Sequence, residues 1–179
     1  MPQRIKHREW IIMDVLADIV LDNVEGCVVD IGIGPSTEIL RWKTEERSIK
    51  QYTCDVNPLK CEWARSVGCT VYEMKSTDFI KEFDDSPISI LFIDGEHKVE
   101  TVIEEIMSLL PKLAEHGIIF LHDTYPPKGW INKDGIHCGT VYRAREVIEA
   151  MPDLQIFTFP FTAMNCGLSI IGRKLDKFW

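Results

Sequence analysis

Residues 28–40 read VVDIGIGPSTEIL: an apolar run carrying an acid, then Gly32, Gly34, a proline and two hydroxyl residues ahead of a helix-forming stretch. A turn this bare lets backbone approach a ligand closely, and the amides that open the next helix favour polar or anionic groups. The same turn also serves as a plain strand-to-helix connection. Asp55 follows about twenty residues later, at the end of the next apolar run, where a carboxylate accepts both hydroxyl hydrogens of a ribose. Its alternative role is a helix N-cap, for which Asn57 competes. Glycines and acid together point to a ligand containing a nucleoside. The dinucleotide fingerprint is incomplete, because Thr37 stands at its last glycine position, and this weakens the case for a pyrophosphate.

Two further stretches carry acids. LFIDGEH supplies Asp94, Glu96 and His97, and FLHDT supplies His122, Asp123 and Thr124. If these runs are neighbouring strands, Asp94 and Asp123 face one another beside the nucleoside cleft. Two carboxylates that close repel unless a proton or a cation lies between them. Oxygen donors with open water positions suit Mg²⁺ or Mn²⁺, while a metal-free polar pocket is the competing reading.

The elements that must position these groups alternate along the chain. An N-terminal helix over about residues 5–22 carries Trp10, Ile11, Val15 and Ile19 at helical spacing, which predicts an apolar face. Strand patterns follow at GCVVDIGI, KQYTCDVN, CTVYEMK, PISILFIDG and GIIFLHD, each followed by a segment with helical features or, in the last case, by a long loop. Ser36 or Thr37 is expected to cap the second helix, Pro58 to open the third and Gly68 to end it. The helix from Lys98 to Gly117 carries Val99, Val102, Ile103, Ile106, Leu109 and Leu110 on one stripe, bent or shortened by Pro111. The long loop TYPPKGWINKDGIHCG offers Tyr125 and Trp130 as walls for an acceptor pocket. After one more helix, LQIFTFPF and GLSIIGRK leave no room for a helix between them and predict an antiparallel pair. The expectation is an α/β fold: a doubly wound, mostly parallel seven-stranded sheet ending in an antiparallel hairpin, as a single domain over residues 1–179.

With 179 residues, 45% hydrophobic and 27% charged, the chain fits one globular domain. A formal net charge of −8 offers no general attraction to nucleic acid or anionic membranes. Six cysteines without a CxxC pair fit reduced, structural thiols. Asp14 and Asp18 interrupt the first apolar run, which therefore reads as a helix of the fold and not as a leader, and no stretch is long enough to span a bilayer. A cytoplasmic protein is expected.

In order and spacing these motifs resemble the class I S-adenosylmethionine-dependent methyltransferases. The similarity covers roughly residues 25–172 and is closest to small O-methyltransferases with FIDG-x-H and HD motifs, related to the metal-dependent catechol-type enzymes. The resemblance implies that Asp30, Gly32 and Gly34 line the methionine end of S-adenosyl-L-methionine and that Asp55 binds its ribose. Ser76, Thr77 and Asp78 would contact the adenine. Asp94 would serve both cofactor and chemistry, and Asp94 and Asp123 would hold Mg²⁺ or another divalent cation. The first turn departs from the family, with Pro35-Ser36 where many relatives have another glycine, and so do two positions beside the acids. Thr124 stands where catechol-type enzymes have Asn, and His122 where some relatives have an acid, so a third ligand would be a hydroxyl or an imidazole. The implied reaction is in-line methyl transfer to an oxygen of a small-molecule acceptor, with His97 and His122 as candidate bases, and His137 of the long loop as a more remote one, because imidazole titrates near neutrality. The first helix would cover the cleft or contribute to a homodimer. An NAD-linked oxidoreductase and a non-catalytic cofactor-binding protein are the rival readings.

Overall fold

The computed structural model describes residues 8–127, 138–160 and 166–174. Seven strands form one sheet: β1 (Cys27–Ile31), β2 (Gln51–Asp55), β3 (Thr70–Glu73), β4 (Ile88–Ile93), β5 (Leu113–His122), β6 (Leu154–Phe159) and β7 (Leu168–Arg173). Their order is β3-β2-β1-β4-β5-β7-β6. The first five are parallel, while β7 runs antiparallel to both β5 and β6. This is the expected Rossmann-like sheet with its terminal hairpin. Strands β1 and β4 are buried along their whole length, as required when both faces are covered.

Among the described residues six helices supply the cover: α1 (Arg8–Asn23), α2 (Pro35–Glu46), α3 (Pro58–Ser66), α4 (Ser76–Glu82), α5 (Val99–Leu109) and α6 (Tyr142–Glu149). On one face, Trp10, Met13 and Ala17 of α1 and Leu40 of α2 pack on Val28, Ile90, Phe92 and Phe120. On the other, Phe79 of α4, Val102 and Ile106 of α5 and Ala144 and Ile148 of α6 pack on Val29, Ile31, Leu91 and Ile93. The alternation of Ile90 and Phe92 against Leu91 and Ile93 is the two-residue period of a strand buried on both faces. Among the described residues no helix is long and apolar enough to cross a membrane.

Three local expectations are corrected. Ile11, Val15 and Ile19 are exposed, at 48, 53 and 55%, while Trp10, Met13, Ala17, Val20 and Leu21 face the core. The acids of α1 set that rotation. Asp14, Asp18 and Asp22 recur every fourth residue and meet Lys43 and Arg47 of α2, with Lys43 2.9 Å from Asp14 and Arg47 2.7 Å from Asp22. Second, α2 is capped by neither Ser36 nor Thr37. Gly34 is the N-cap, Pro35 opens the helix, and the Gly34 amide donates to the Thr37 hydroxyl at 3.0 Å. Third, α5 ends at Leu109, a short 3₁₀ turn spans Leu110–Lys112, and β5 begins at Leu113, ahead of the expected Gly117. Pro111 has no amide to continue the helix, and its ring clashes with the preceding turn. Between Leu113 and Ile118 the β5 register slips against β4. At Gly117 an added Cβ would sit 2.8 Å from the Ile88 carbonyl oxygen.

The burial pattern makes a direct prediction. Phe92→Ala is expected to cost about 3–5 kcal/mol of stability, and Val15→Gln less than about 0.5 kcal/mol, measured by urea denaturation monitored by circular dichroism. A large loss for Val15→Gln would contradict the outward orientation of that stripe.

Candidate active site

The strand order reverses between β1 and β4, and a cleft of about 460 Å³ opens there at the carboxyl ends of the strands. Gly32 and Gly95 form its base, Asp55 one wall, Ser76, Thr77 and Thr101 the far end, and Ile31, Val56 and Met74 supply apolar surface. Gly32 has φ +95°, and a Cβ there would lie 2.2 Å from the Asp94 carbonyl oxygen. Only glycine allows the two strand ends to meet so closely. Asp55 accepts from the Ile33 amide at 3.0 Å and the Asn57 amide at 2.8 Å, with Lys60 Nζ at 3.4 Å. Its carboxylate thus pins the glycine turn to the start of α3 while remaining part of the cleft wall. Asn57 is the cap of α3, accepting from the Leu59 and Lys60 amides.

Beneath the turn, Asp30 is fully buried and does not line the cleft. Ser36 donates to its Oδ1 at 3.1 Å, and Thr37 and Thr53 donate to its Oδ2 at 2.5 and 3.4 Å. Burial raises its carboxyl to about 7 against the pull of these hydroxyls.

Next to the cleft, two acids and two imidazoles converge. His97 Nε2 lies 3.4 Å from Asp94 Oδ1 and 3.5 Å from Asp123 Oδ2; His122 Nδ1 lies 3.4 Å from Asp94 Oδ1 and 3.1 Å from Asp123 Oδ1. Burial would raise Asp94, but His122 and His97 hold it down at about 2. Burial would likewise lower His122, yet Asp123 and Asp94 lift it to about 10. His97 is raised by its hydrogen bond to Asp94. Both imidazoles are thus pushed toward their charged forms by the acids beside them. Donor atoms of Asp94, His97 and Asp123 lie within 4.8 Å of one another, a spacing that can hold a metal ion.

Local structure fixes each member. The Asp94 amide donates to the Ile31 carbonyl at 2.8 Å. Thr140 holds the backbone after β4, its amide donating to His97 O and its hydroxyl accepting from the Val99 amide, each at 3.0 Å. Asp123 has φ +62°, a left-handed conformation uncommon outside glycine and better tolerated by Asp than by bulkier residues. The His122 ring stacks on Trp10 of α1 at 5.1 Å with 7° between planes. Thr124 is buried, and its hydroxyl accepts from Ser169 at 2.8 Å. Among His, Cys, Asp and Glu side chains of the described residues, the group that joins the two acids at metal-ligand spacing is the imidazole of His97.

A family model described as a methyltransferase domain matches residues 15–124. The chain belongs to this methyltransferase family. Comparison with curated proteins finds no match. Among solved structures, the methyltransferase is similar to the cofactor-bound Rv0187 protein from MTB, at 16% identity and TM-score 0.75, over 96% of this chain and 82% of that one. It is also similar to the O-methyltransferase from Bacillus cereus in complex with SAH, at 16% identity and TM-score 0.67, over 97% and 84% of the two chains. A third likeness is to TomG from Streptomyces achromogenes, an O-methyltransferase involved in tomaymycin synthesis, in complex with SAM: 15% identity, TM-score 0.67, 90% and 78% covered. At these identities the likeness is one of fold.

Of the residues singled out in the sequence, Gly32, Asp55, Ser76, Thr77 and Asp94 line the methyltransferase's cleft. Asp94 also joins His97, His122 and Asp123. Three others lie elsewhere. Asp30 braces the turn from below, Gly34 borders a separate depression with Leu59 and Trp63, and Asp78 is 55% exposed and pairs with Lys81 at 3.2 Å. The spacing of Asp78 from strand three could not tell which side of α4 it occupies. Tyr125 is 45% exposed, with the Arg145 guanidinium 5.2 Å from its ring; Trp130 and His137 lie outside the described residues. Trp10 and Thr101 carry no signal of a site in the sequence, since each reads there as an ordinary helix residue.

Asp30 yields a pH prediction. Its carboxyl titrates near 7 in the folded chain against 3.8 for an unperturbed group, so the folded state binds more protons across that window. Stability from this group therefore falls as pH rises from about 4 to 7. Asp30→Asn is expected to remove that decline, read as the difference in unfolding free energy between variant and wild type at several pH values. A pH-independent difference would show that Asp30 folds as an ionised carboxylate.

Proposed function

We propose that this methyltransferase transfers the methyl group of S-adenosylmethionine to a hydroxyl oxygen of a small molecule, with a divalent cation held by Asp94, His97 and Asp123. One observation carries the reading: Asp94 belongs at once to the cleft and to the acid–imidazole cluster. A methyl donor in the first and an acceptor hydroxyl at the second would meet across a single residue.

The residues fit both groups. The cleft joins an acceptor for ribose hydroxyls, Asp55, to apolar surface and to the Ser76 and Thr77 hydroxyls. Two carboxylates with an imidazole suit Mn²⁺, Co²⁺ or Zn²⁺ better than Mg²⁺, which prefers an all-oxygen shell. When bound, the cofactor supplies an electrophilic sulfonium methyl, and the cation supplies charge that acidifies the acceptor hydroxyl. Gly32 permits close seating at the strand ends, and Asp55 fixes the ribose and hence the direction of the methyl group. His122 Nδ1, between Asp94 and Asp123, balances their charge as imidazolium, and the proton lost by the acceptor hydroxyl would pass to solvent. His97 and His122 are thus charge partners of the acids before they are bases, because the neighbouring carboxylates favour the charged form of each.

Calorimetric titration tests the assignment. S-adenosylhomocysteine is expected to bind in the micromolar range and NAD not to bind. Mn²⁺ or Co²⁺ is expected to bind more tightly than Mg²⁺ and to release protons, seen as a heat that depends on the buffer's ionisation enthalpy, because an imidazole ligand must be neutral. Asp123→Asn should weaken Mn²⁺ binding about 100-fold with cofactor-product affinity retained. Binding of NAD in place of the homocysteine compound would overturn the cofactor reading. Tight Mg²⁺ binding without proton release would overturn the imidazole ligand.

A further inference from the structure

Helix α1 is apolar on two sides. Trp10, Met13, Ala17, Val20 and Leu21 face the sheet, while Ile11, Val15 and Ile19 stand exposed on the outside, with half-buried Ile12 and Leu16 beside them. A helix that covers one sheet needs a single apolar stripe. Apolar residues all round mark a helix that is covered on its outer side as well. The acids Asp14 and Asp18 do not interrupt the outer stripe, because they lie to one side of it and hold Lys43 of α2.

The order of the outer residues points to what covers them. Arg8, Ile11, Val15, Ile19 and Asp22 are all exposed and follow one another at intervals of three, four, four and three residues. At 3.6 residues per turn this spacing keeps the five within a face about 80° wide. Asp22 stays exposed even with Arg47 of α2 beside it. The series is symmetric about Val15 except in charge, since it begins on a cation and ends on an anion. A second copy of the helix laid antiparallel across the first, with a two-fold axis at Val15, sets Val15 against Val15 and Ile11 against Ile19. The same operation sets Arg8 against Asp22 at both ends. Parallel helices in register would instead bring Arg8 to Arg8 and Asp22 to Asp22. Charge therefore selects the antiparallel arrangement, and the shape of the stripe makes it self-complementary.

We propose that the outer stripe of α1 is the contact of a homodimer, in which two copies of this chain pack their first helices antiparallel about a two-fold axis at Val15. From Arg8 to Asp22 the stripe is about 21 Å long. A contact of that extent is smaller than those of obligate dimers, so the dimer is a dissociable one, in the micromolar range. The paired helix is also the one whose Trp10 stacks on His122. Self-association thus steadies a helix on which the acid–imidazole cluster leans.

The test is sedimentation velocity of the full chain over a concentration series, joined to disulfide trapping. Wild type is expected to show a monomer–dimer equilibrium. Val15→Glu sets two like charges on the axis and should weaken the dimer about 100-fold or more. Its urea midpoint should match that of wild type at concentrations where both are monomeric. Trapping reads the register. All six native cysteines are buried, so a cysteine added to the stripe is the accessible thiol. The Val15→Cys thiol meets its own copy on the axis and should form a covalent dimer under mild oxidation. The Ile11→Cys thiol lies about 12 Å along the helix from its own copy, beyond the reach of a disulfide. It should not link to itself, but should link to Ile19→Cys when the two variants are mixed. A chain that is monomeric at every concentration leaves the stripe to another occupant, a different protein or a membrane surface, and overturns the proposal. A dimer that Val15→Glu leaves intact uses another face and overturns it too. Self-linking of Ile11→Cys as fast as that of Val15→Cys would mean parallel helices and overturn the antiparallel register.

Discussion

The close passage of β1 against β4 is the constraint on which the site depends. The Asp94 amide bonds to the Ile31 carbonyl at 2.8 Å, and the Asp94 carbonyl runs past Gly32 where even a methyl group has no room. Parallel neighbours whose following helices lie on opposite faces diverge beyond their last hydrogen bond, and this divergence is the crevice. Because Gly32 follows β1 and Asp94 follows β4, one contact fixes the floor of the cleft and the first acid of the cluster together. Asp55, at the end of β2, then ties the Ile33 amide down from the side. Displacing any of the three strand ends moves the other two.

Charge is the second constraint. Asp94 and Asp123 approach a common point in a buried region, an arrangement that stands only with compensating positive charge. His97 and His122, each pushed toward its charged form by these acids, answer it, and each is held by a different part of the chain. Thr140 secures the backbone of His97, while Trp10 presses on the ring of His122. The N-terminal helix therefore does more than cover apolar surface, since its first turn orients one member of the site. A cation entering here must compete with bound protons, which makes its affinity a function of pH as well as of donor type.

The sheet was legible because parallel strands buried on both faces are continuous apolar runs bounded by glycine, proline and acids, and PISILFIDG and GCVVDIGI are such runs. The terminal hairpin was legible for a topological reason: the link between β6 and β7 is too short for a crossover. The face of α1 was not. Ile11, Val15 and Ile19 have the right spacing for a core stripe, yet so do Met13, Ala17 and Leu21, and the choice between them is made by Lys43 and Arg47 on another helix. The start of β5 was hidden because Leu113–His116 carries charge and bulges out of register. At the site, strand-end acids could be read from position alone. Which side chain joins the two acids could not, because His97 is held beside them by a backbone tie to Thr140, far along the chain.

Two carboxyls buried beneath the cleft, Asp30 and Glu105, are both raised to about 7 by their surroundings, but they are not alike. Asp30 receives three hydroxyl donors from Ser36, Thr37 and Thr53 and knits β1, β2 and the start of α2 together. Its solvation is replaced by the protein's own groups, as expected of an acid whose work is structural. Glu105 has no such set, although Ser76 lies beside it. A fold that satisfies one buried acid with three donors is able to satisfy another. Glu105 is not satisfied in that way, so its raised carboxyl reflects the largely uncompensated cost of burial, whereas Asp30 is held up by burial against three donors.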